Sequence, residues 1–320
     1  MRTPVATILA SLGLIAGTAM AADYSVPGDF SSIQAAVNAA SSGDVITVGP
    51  GNWPGRLDFR GKNLAVQSSD GPESTTIDSN GIGSCVLFRT GEGAGAILKG
   101  FTISGGSGSM HDGVMTGGGI HIVETSPTII DCIIRDNTAL HGAGVSIWGG
   151  APTIQDCTFT GNQASGDGGG IRLHHYSYPV IENCTFTSNA ASVFGGAIAY
   201  GNDSDGSHIA CIFESNTAGL RGGAIASACD CNDPNLWDST FCNSLPDHIL
   251  GGWHDNGGND FCPVCAMDIN ADGAVDVNDV LQVINAWGNC ICVEDVNGDT
   301  VVDVTDLLAI IDEWGSCPQG

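Results

Sequence analysis

The chain has 320 residues, of which 35 are acidic and nine basic, for a formal net charge of −26, and 42% are hydrophobic. That length accommodates a main domain and one small one, while the charge disfavours nucleic acid as a partner and opposes polyanions unless a cation bridges them. Forty-seven glycines beside an ordinary apolar fraction indicate frequent tight turns, not disorder, and thirteen cysteines suggest an oxidising compartment.

Met1 and Arg2 precede an apolar run over residues 5–16, followed by Ala19, Met20 and Ala21. This reads as a secretory signal peptide, 1–21, cleaved after Ala21. The run is too short to span a bilayer, so the expectation is an exported protein, secreted or at the cell surface, with no membrane span in the mature chain. Over 29–44, Phe30, Ile33, Val37 and Ala40 recur at helical spacing, with Ser31 placed as N-cap and Gly43 as stop. Segments 45–48, 63–66, 84–88 and 100–103 read as strands, and the glycine-rich stretch 105–119 reads as a surface excursion.

Between 127 and 226 one pattern recurs four times. Its fixed positions are Cys132, Cys157, Cys184 and Cys211, then Ile134, Phe159, Phe186 and Phe213, then Asn137, Asn162, Asn189 and Asn216. Each copy continues into a glycine-rich corner that ends in Val145, Ile171, Ile198 or Ile225. The Cys-to-Cys steps are 25, 27 and 27 residues, a period that marks a repeat architecture in which each unit buries its apolar face only against its neighbours. The unit is too short for a strand-helix-strand crossover and too rich in glycine and β-branched residues for helix pairs, which leaves a coil of short strands. Alternation points Cys and the residue two places on inward, so stacked coils form a Cys column, an aliphatic and aromatic column and an Asn column. Leu64 and Val66, like Phe101 and Ile103, match the Cys132 and Ile134 positions. The helix over 29–44 is the expected cap for the open end of the stack. A last coil over 239–243 precedes a closing segment and linker containing Trp253 and 256–260.

From Cys262 the pattern changes. Asp268, Asn270, Asp272, Asp276 and Asp279 stand at positions 1, 3, 5, 9 and 12 of a twelve-residue loop with Gly273 at position 6, and Asp295, Asn297, Asp299, Asp303 and Asp306 repeat the set 27 residues later. Oxygen ligands at that spacing fit calcium. Each loop leads into an expected helix with an apolar stripe: Val277, Val280, Leu281, Ile284 and Trp287, then Val304, Leu307, Leu308, Ile311 and Trp314. With eleven acids and no Lys or Arg after residue 261, calcium should couple to folding. Thr300 replaces glycine at position 6 of the second loop, a departure that weakens that site.

Phe-x-x-Asn at Phe159, Phe186 and Phe213, alternating with the Gly-Gly-Ala-Ile segments that start at Gly195 and Gly222, resembles the repeat of chlamydial polymorphic outer membrane proteins and, more broadly, right-handed parallel β-helices of the pectate-lyase-like class. The paired loops resemble a type I dockerin. Together these resemblances imply a mainly β chain: a right-handed single-stranded parallel β-helix over 22–261 and a small α-helical, paired EF-hand-like dockerin domain over 262–320. They further imply attachment through a cohesin-like protein, and a polysaccharide-related role, since dockerins are mostly carried by polysaccharide-degrading enzymes.

The inward Cys column is read as plain packing, with metal binding or disulfides as alternatives. Cys229, Cys231, Cys242, Cys262, Cys265, Cys290, Cys292 and Cys317 read as disulfide formers, with zinc at Cys262, Cys265, Cys290 and Cys292 as the other reading. After the glycine corners, outward positions bring Trp148, Arg172, His174, His175 and Tyr176 to neighbouring coils, with Tyr178, Glu124, Asp203 and Asp205 near them. Aromatic faces beside charged groups suit a polysaccharide or cell-surface glycan. Arg172 as base with Asp203 and Asp205 as calcium ligands would suit a lyase, but the paired Asp, His-Gly and Arg-x-Lys segments that polygalacturonase resemblance requires are missing, and no catalytic residue is assigned. The alternative is a cell-surface adhesin or structural spacer.

Overall fold

A computed structural model of the chain describes residues 21–227, 234–262, 267, 269, 274–289, 294–296 and 301–316. The expected signal peptide (all but Ala21), Cys229, Cys231, Cys265, Cys290, Cys292 and Cys317, and the loop positions Asp268, Asn270, Asp272, Asn297 and Asp299 lie outside the described residues.

The repeats form a parallel β-solenoid. Among the described residues, three long parallel sheets of ten, nine and eight strands run its length, with a four-stranded sheet on the corner between the second and third. One coil shows the logic. Thr128–Ile130 lies in the first sheet, Ile133–Arg135 in the second, Thr138–Ala139 in the corner sheet and Val145–Gly150 in the third. Corners are made by residues in the left-handed region: Asp131 (φ 53°) between the first two sheets and Asp136 (φ 54°) after the second. The third corner is glycine in five coils, Gly117, Gly142, Gly168, Gly195 and Gly222, with φ between 60° and 69°. A Cβ there would sit 2.3–2.6 Å from the carbonyl oxygen three residues on, which is why the motif opens with glycine.

The inward columns are those expected. Cys132, Cys157, Cys184 and Cys211 are buried free thiols, and burial pushes Cys157 and Cys211 well above the ordinary thiol value, keeping them protonated. Phe159, Phe186, Phe213, Phe241 and Phe261 stack with centroids 4.5, 5.0, 4.7 and 4.8 Å apart, close to the strand spacing of about 4.8 Å. Each fully buried ring contributes roughly 1.5 to 3 kcal/mol. Asn137, Asn162 and Asn189 each donate from Nδ2 to the Oδ1 of the next asparagine at 2.9–3.0 Å. The left-handed backbone falls on the preceding residue (Asp136, Gly161, Ser188, Ser215) and not on the asparagine itself, so Asn is required here for its amide, which bonds up and down the stack.

Four further expectations are corrected. The N-cap of helix α1 (Ile33–Ala39) is Ser32, accepting from Ala35 N at 3.2 Å, and not Ser31. Val66 pairs with Leu98, which pairs with Ile129, so it belongs to the first sheet and Leu64 lies just ahead of that strand; the Ile134 column is continued by Ile103 and Ile77. Both sheets carry the same alternation, so spacing alone does not separate them. The segment expected to close and link instead adds another coil, His254–Asp255 in the first sheet and Asp260–Phe261 in the second. There the disulfide Cys242–Cys262 ties neighbouring coils together. Finally, the expected single apolar stripe of the tail helices is two faces.

Those helices, α2 (Val277–Asn285) and α3 (Val304–Asp312), begin at Asp276 and Asp303, each in a capping box with a buried aspartate, Asp279 or Asp306. Val283 and Ile310 pack inward with Val275 and Val302, with Val280 and Leu307 against them. Val277, Leu281, Ile284 and Trp287, and their counterparts Val304, Leu308, Ile311 and Trp314, are each about half exposed. Two short antiparallel pairs join the copies reciprocally: Ala274–Val275 with Gly315–Ser316, and Gly288–Asn289 with Val301–Val302.

Candidate functional site

The third sheet carries the candidate site on its outer face. In register, Leu87, His121, Ser146, Arg172 and Ala199 form one outward column, and Val123, Trp148 and His174 the next. The glycine-rich excursion folds over these columns as a hairpin, Ser109–His111 against Val114–Thr116. It buries His121 and Ser146, and Thr116 Oγ1 lies 3.2 Å from His121 Nδ1. The result is a cavity of about 220 Å³ lined by Trp148, Arg172 and His174 from the sheet and by His111, Asp112 and His141 around them.

Trp148 joins the aromatic rings of this region. Its ring lies 4.4 Å from His174, 4.6 Å from His111 and 5.5 Å from His175. Tyr176 stands 5.3 Å beyond His175 and is exposed. The odd-offset argument places Trp148 and His174 outward as expected, but it does not extend to Tyr176. His175 and Tyr176 both adopt left-handed backbone (φ 59° each), and the pairing register shifts between Trp148 and Gly150. This bulge, and not continued alternation, turns Tyr176 to the outside. Glu124 and Asp203 occupy left-handed turn positions (φ 50° and 51°).

The cavity lining sets Arg172 against Asp112, with Asp167 beside the guanidinium. Arg172, 16% exposed at its side chain, has Nη2 3.7 Å from Asp167 Oδ2. Asp167 also donates its backbone N–H to His141 Nδ1 at 3.0 Å, which fixes that nitrogen as an acceptor in the neutral ring. Burial lowers His121 and His174 to about 4, helped at His121 by His111 and at His174 by Arg172; burial also lowers His141 against the opposing pull of Asp167. Near neutral pH these three rings are therefore uncharged. His111 Nε2 and His174 Nδ1 are buried and make no hydrogen bond within the described protein. Spacing brought Trp148, Arg172, His174, His175 and Tyr176 to one region, as expected, but missed His111, Asp112, His141 and Asp167. The available signal was compositional: five of the eight histidines fall between 111 and 175.

No curated protein matches the sequence. Solved structures with a similar backbone include the pectin methylesterase from carrot, 12% identical with a TM-score of 0.44, covering 77% of this chain and 89% of that one. A pectin methylesterase from Aspergillus niger is 13% identical with a TM-score of 0.47, covering 78% and 87%, and a pectate lyase is 14% identical with a TM-score of 0.39, covering 82% and 84%. The family model described as the right handed beta helix region matches residues 67–241, over half the chain and including the cleft, and this chain belongs to that family.

Proposed function

We propose that the protein is an exported glycan-binding β-helix of polysaccharide metabolism, held in a larger assembly by a dockerin-like tail over 262–320. The observation that carries the glycan reading is the cavity lined by the Trp148 indole, Arg172 and the imidazoles of His111 and His174, each of those two imidazoles having one buried nitrogen without a hydrogen bond among the described residues. A sugar ring presents apolar C–H groups to such a face and hydroxyls to such a rim. The tail reading rests on matched apolar rows exposed on α2 and α3, a surface suited to a cohesin-like protein. Calcium is its proposed cofactor. Asp268, Asn270, Asp272, Asp276 and Asp279 would hold one ion, and Asp295, Asn297, Asp299, Asp303 and Asp306 a second. The donors are all oxygen, the chain after 261 has no Lys or Arg, and Asp279 and Asp306 are fully buried carboxylates, which fits a hard cation. Among the described residues no helix is long and apolar enough to cross a membrane.

A glycan array with wild type, Trp148→Ala and Arg172→Ala tests the site. Wild type should bind at least one glycan, and both variants should lose at least tenfold in affinity. A glycan bound equally by all three moves the contact elsewhere on the solenoid and favours the adhesin reading.

A further inference from the structure

Resting on the glycan reading, we infer that the cleft selects an uncharged sugar residue over an acidic one, taking a single ring whose hydroxyls bridge His111 Nε2 and His174 Nδ1 across Trp148. Three observations carry this. The first is charge: Arg172, the one guanidinium among the described residues that line the cavity, is matched by Asp167, and Asp112 lines the same space. A ligand carboxylate would meet a second and third carboxylate, with no further Lys or Arg among the described lining residues to receive it. The surrounding net charge of −26 acts in the same direction.

The second is hydrogen-bond character. A neutral imidazole has one donor and one acceptor nitrogen, and burial holds His121, His141 and His174 toward that form. A hydroxyl is itself donor and acceptor and complements either nitrogen in either tautomer, whereas a carboxylate only accepts. The buried nitrogens of His111 and His174 come from different elements, the hairpin and the third sheet, and both rings pack on Trp148, at 4.6 and 4.4 Å. The third is size. At about 220 Å³ the cavity lies below the roughly 300 to 1,000 Å³ of sites for drug-sized molecules, which limits it to about one ring, with the rest of a chain outside.

The test is titration calorimetry of the full chain at pH 7 with glucose, galactose, mannose, xylose and their methyl glycosides, and with glucuronate and galacturonate. At least one uncharged sugar should bind, its uronate at least tenfold more weakly, with affinity unchanged between low and physiological salt. His111→Phe and His174→Phe keep a ring against Trp148 and remove the nitrogens, and each should lower affinity about tenfold. Imidazole ¹⁵N shifts of both histidines on adding sugar provide a readout that needs no variant. A uronate that binds as well as its parent, with affinity falling in salt, overturns the charge argument and leaves the cleft a glycan site. Failure of every sugar to bind, to shift these imidazoles or to respond to Trp148→Ala overturns both readings.

Discussion

The solenoid and the tail both repeat at 27 residues, Cys157 to Cys184 to Cys211 in one and Asp268 to Asp295 in the other, yet they use repetition in opposite ways. Solenoid copies are related by translation, so each residue stacks on its own counterpart, Phe186 on Phe213 at 5.0 Å and Asn162 on Asn189 at 2.9 Å. Tail copies face each other reciprocally, the strand before α2 pairing with the strand after α3 and the strand after α2 with the strand before α3. Translation never closes, and its ends need covers such as α1. Reciprocal pairing closes at two copies, and the repeated residues it does not use, Leu281 and Leu308 among them, face outward. Repetition builds one continuous core in the first case, and in the second a small closed core of Val275, Val283, Val302 and Ile310 with a matched apolar surface displayed beside it.

The largest expected difference appears on removing calcium. Hydrogen exchange of the full chain in chelator should show protection lost throughout α2 and α3 and retained at Phe159, Phe186 and Phe213, because only the tail gathers carboxylates without basic partners in its sequence. Equal protection of α2 and α3 with calcium and with chelator would remove the proposed coupling.

Acid should then separate the regions the other way. His208 sits in an inward column between Ile181 and Leu236, hydrogen-bonded to buried Tyr200, and burial pushes it down to about 3. The unfolded chain takes up this proton first, so the contribution is complete above about pH 6.5 and is lost as pH falls toward 3, by about 4 to 5 kcal/mol. Tyr200→Phe with His208→Leu should abolish that part of the acid sensitivity in denaturant titrations at pH 7 and pH 4. Unchanged sensitivity would show that His208 is protonated in the fold.

At neutral pH, Phe186→Ala should cost about 3 to 5 kcal/mol by opening a void between two filled coils. Leu308→Ala, equally apolar but 57% exposed, should change stability by no more than about 0.5 kcal/mol. Thermal melts of the two variants measure the contrast directly, and similar losses would mean that the exposed tail face is covered in the folded chain.

Translation also explains what could be read from the sequence. A residue that stacks on its own counterpart must recur, so the Cys, Phe and Asn columns were visible as spacing, and so were Trp148 and His174 as register partners. The cleft depends on what breaks the period. His111 comes from a hairpin whose placement is set by contact with His121 and Trp148. His141 and Asp167 come from corners on successive coils, joined by one hydrogen bond, and the His175 and Tyr176 bulge interrupts an alternation that would otherwise run on. None of these leaves a periodic trace. Leu64 and Val66 failed for the converse reason: their alternation fits two sheets equally.

In-register pairing along the third sheet has a consequence for how such a chain can change length. A whole coil inserted above residue 109 or below residue 177 preserves every column, and the solenoid grows by one strand spacing. The same insertion between Trp148 and His174 is equally acceptable to the ladders, yet it moves two rings now 4.4 Å apart to roughly 9 Å and divides the cleft. The scaffold can therefore accommodate added or removed coils at either flank, whereas the cavity lined by His111, Trp148 and His174 depends on the order of coils between the hairpin and the bulge.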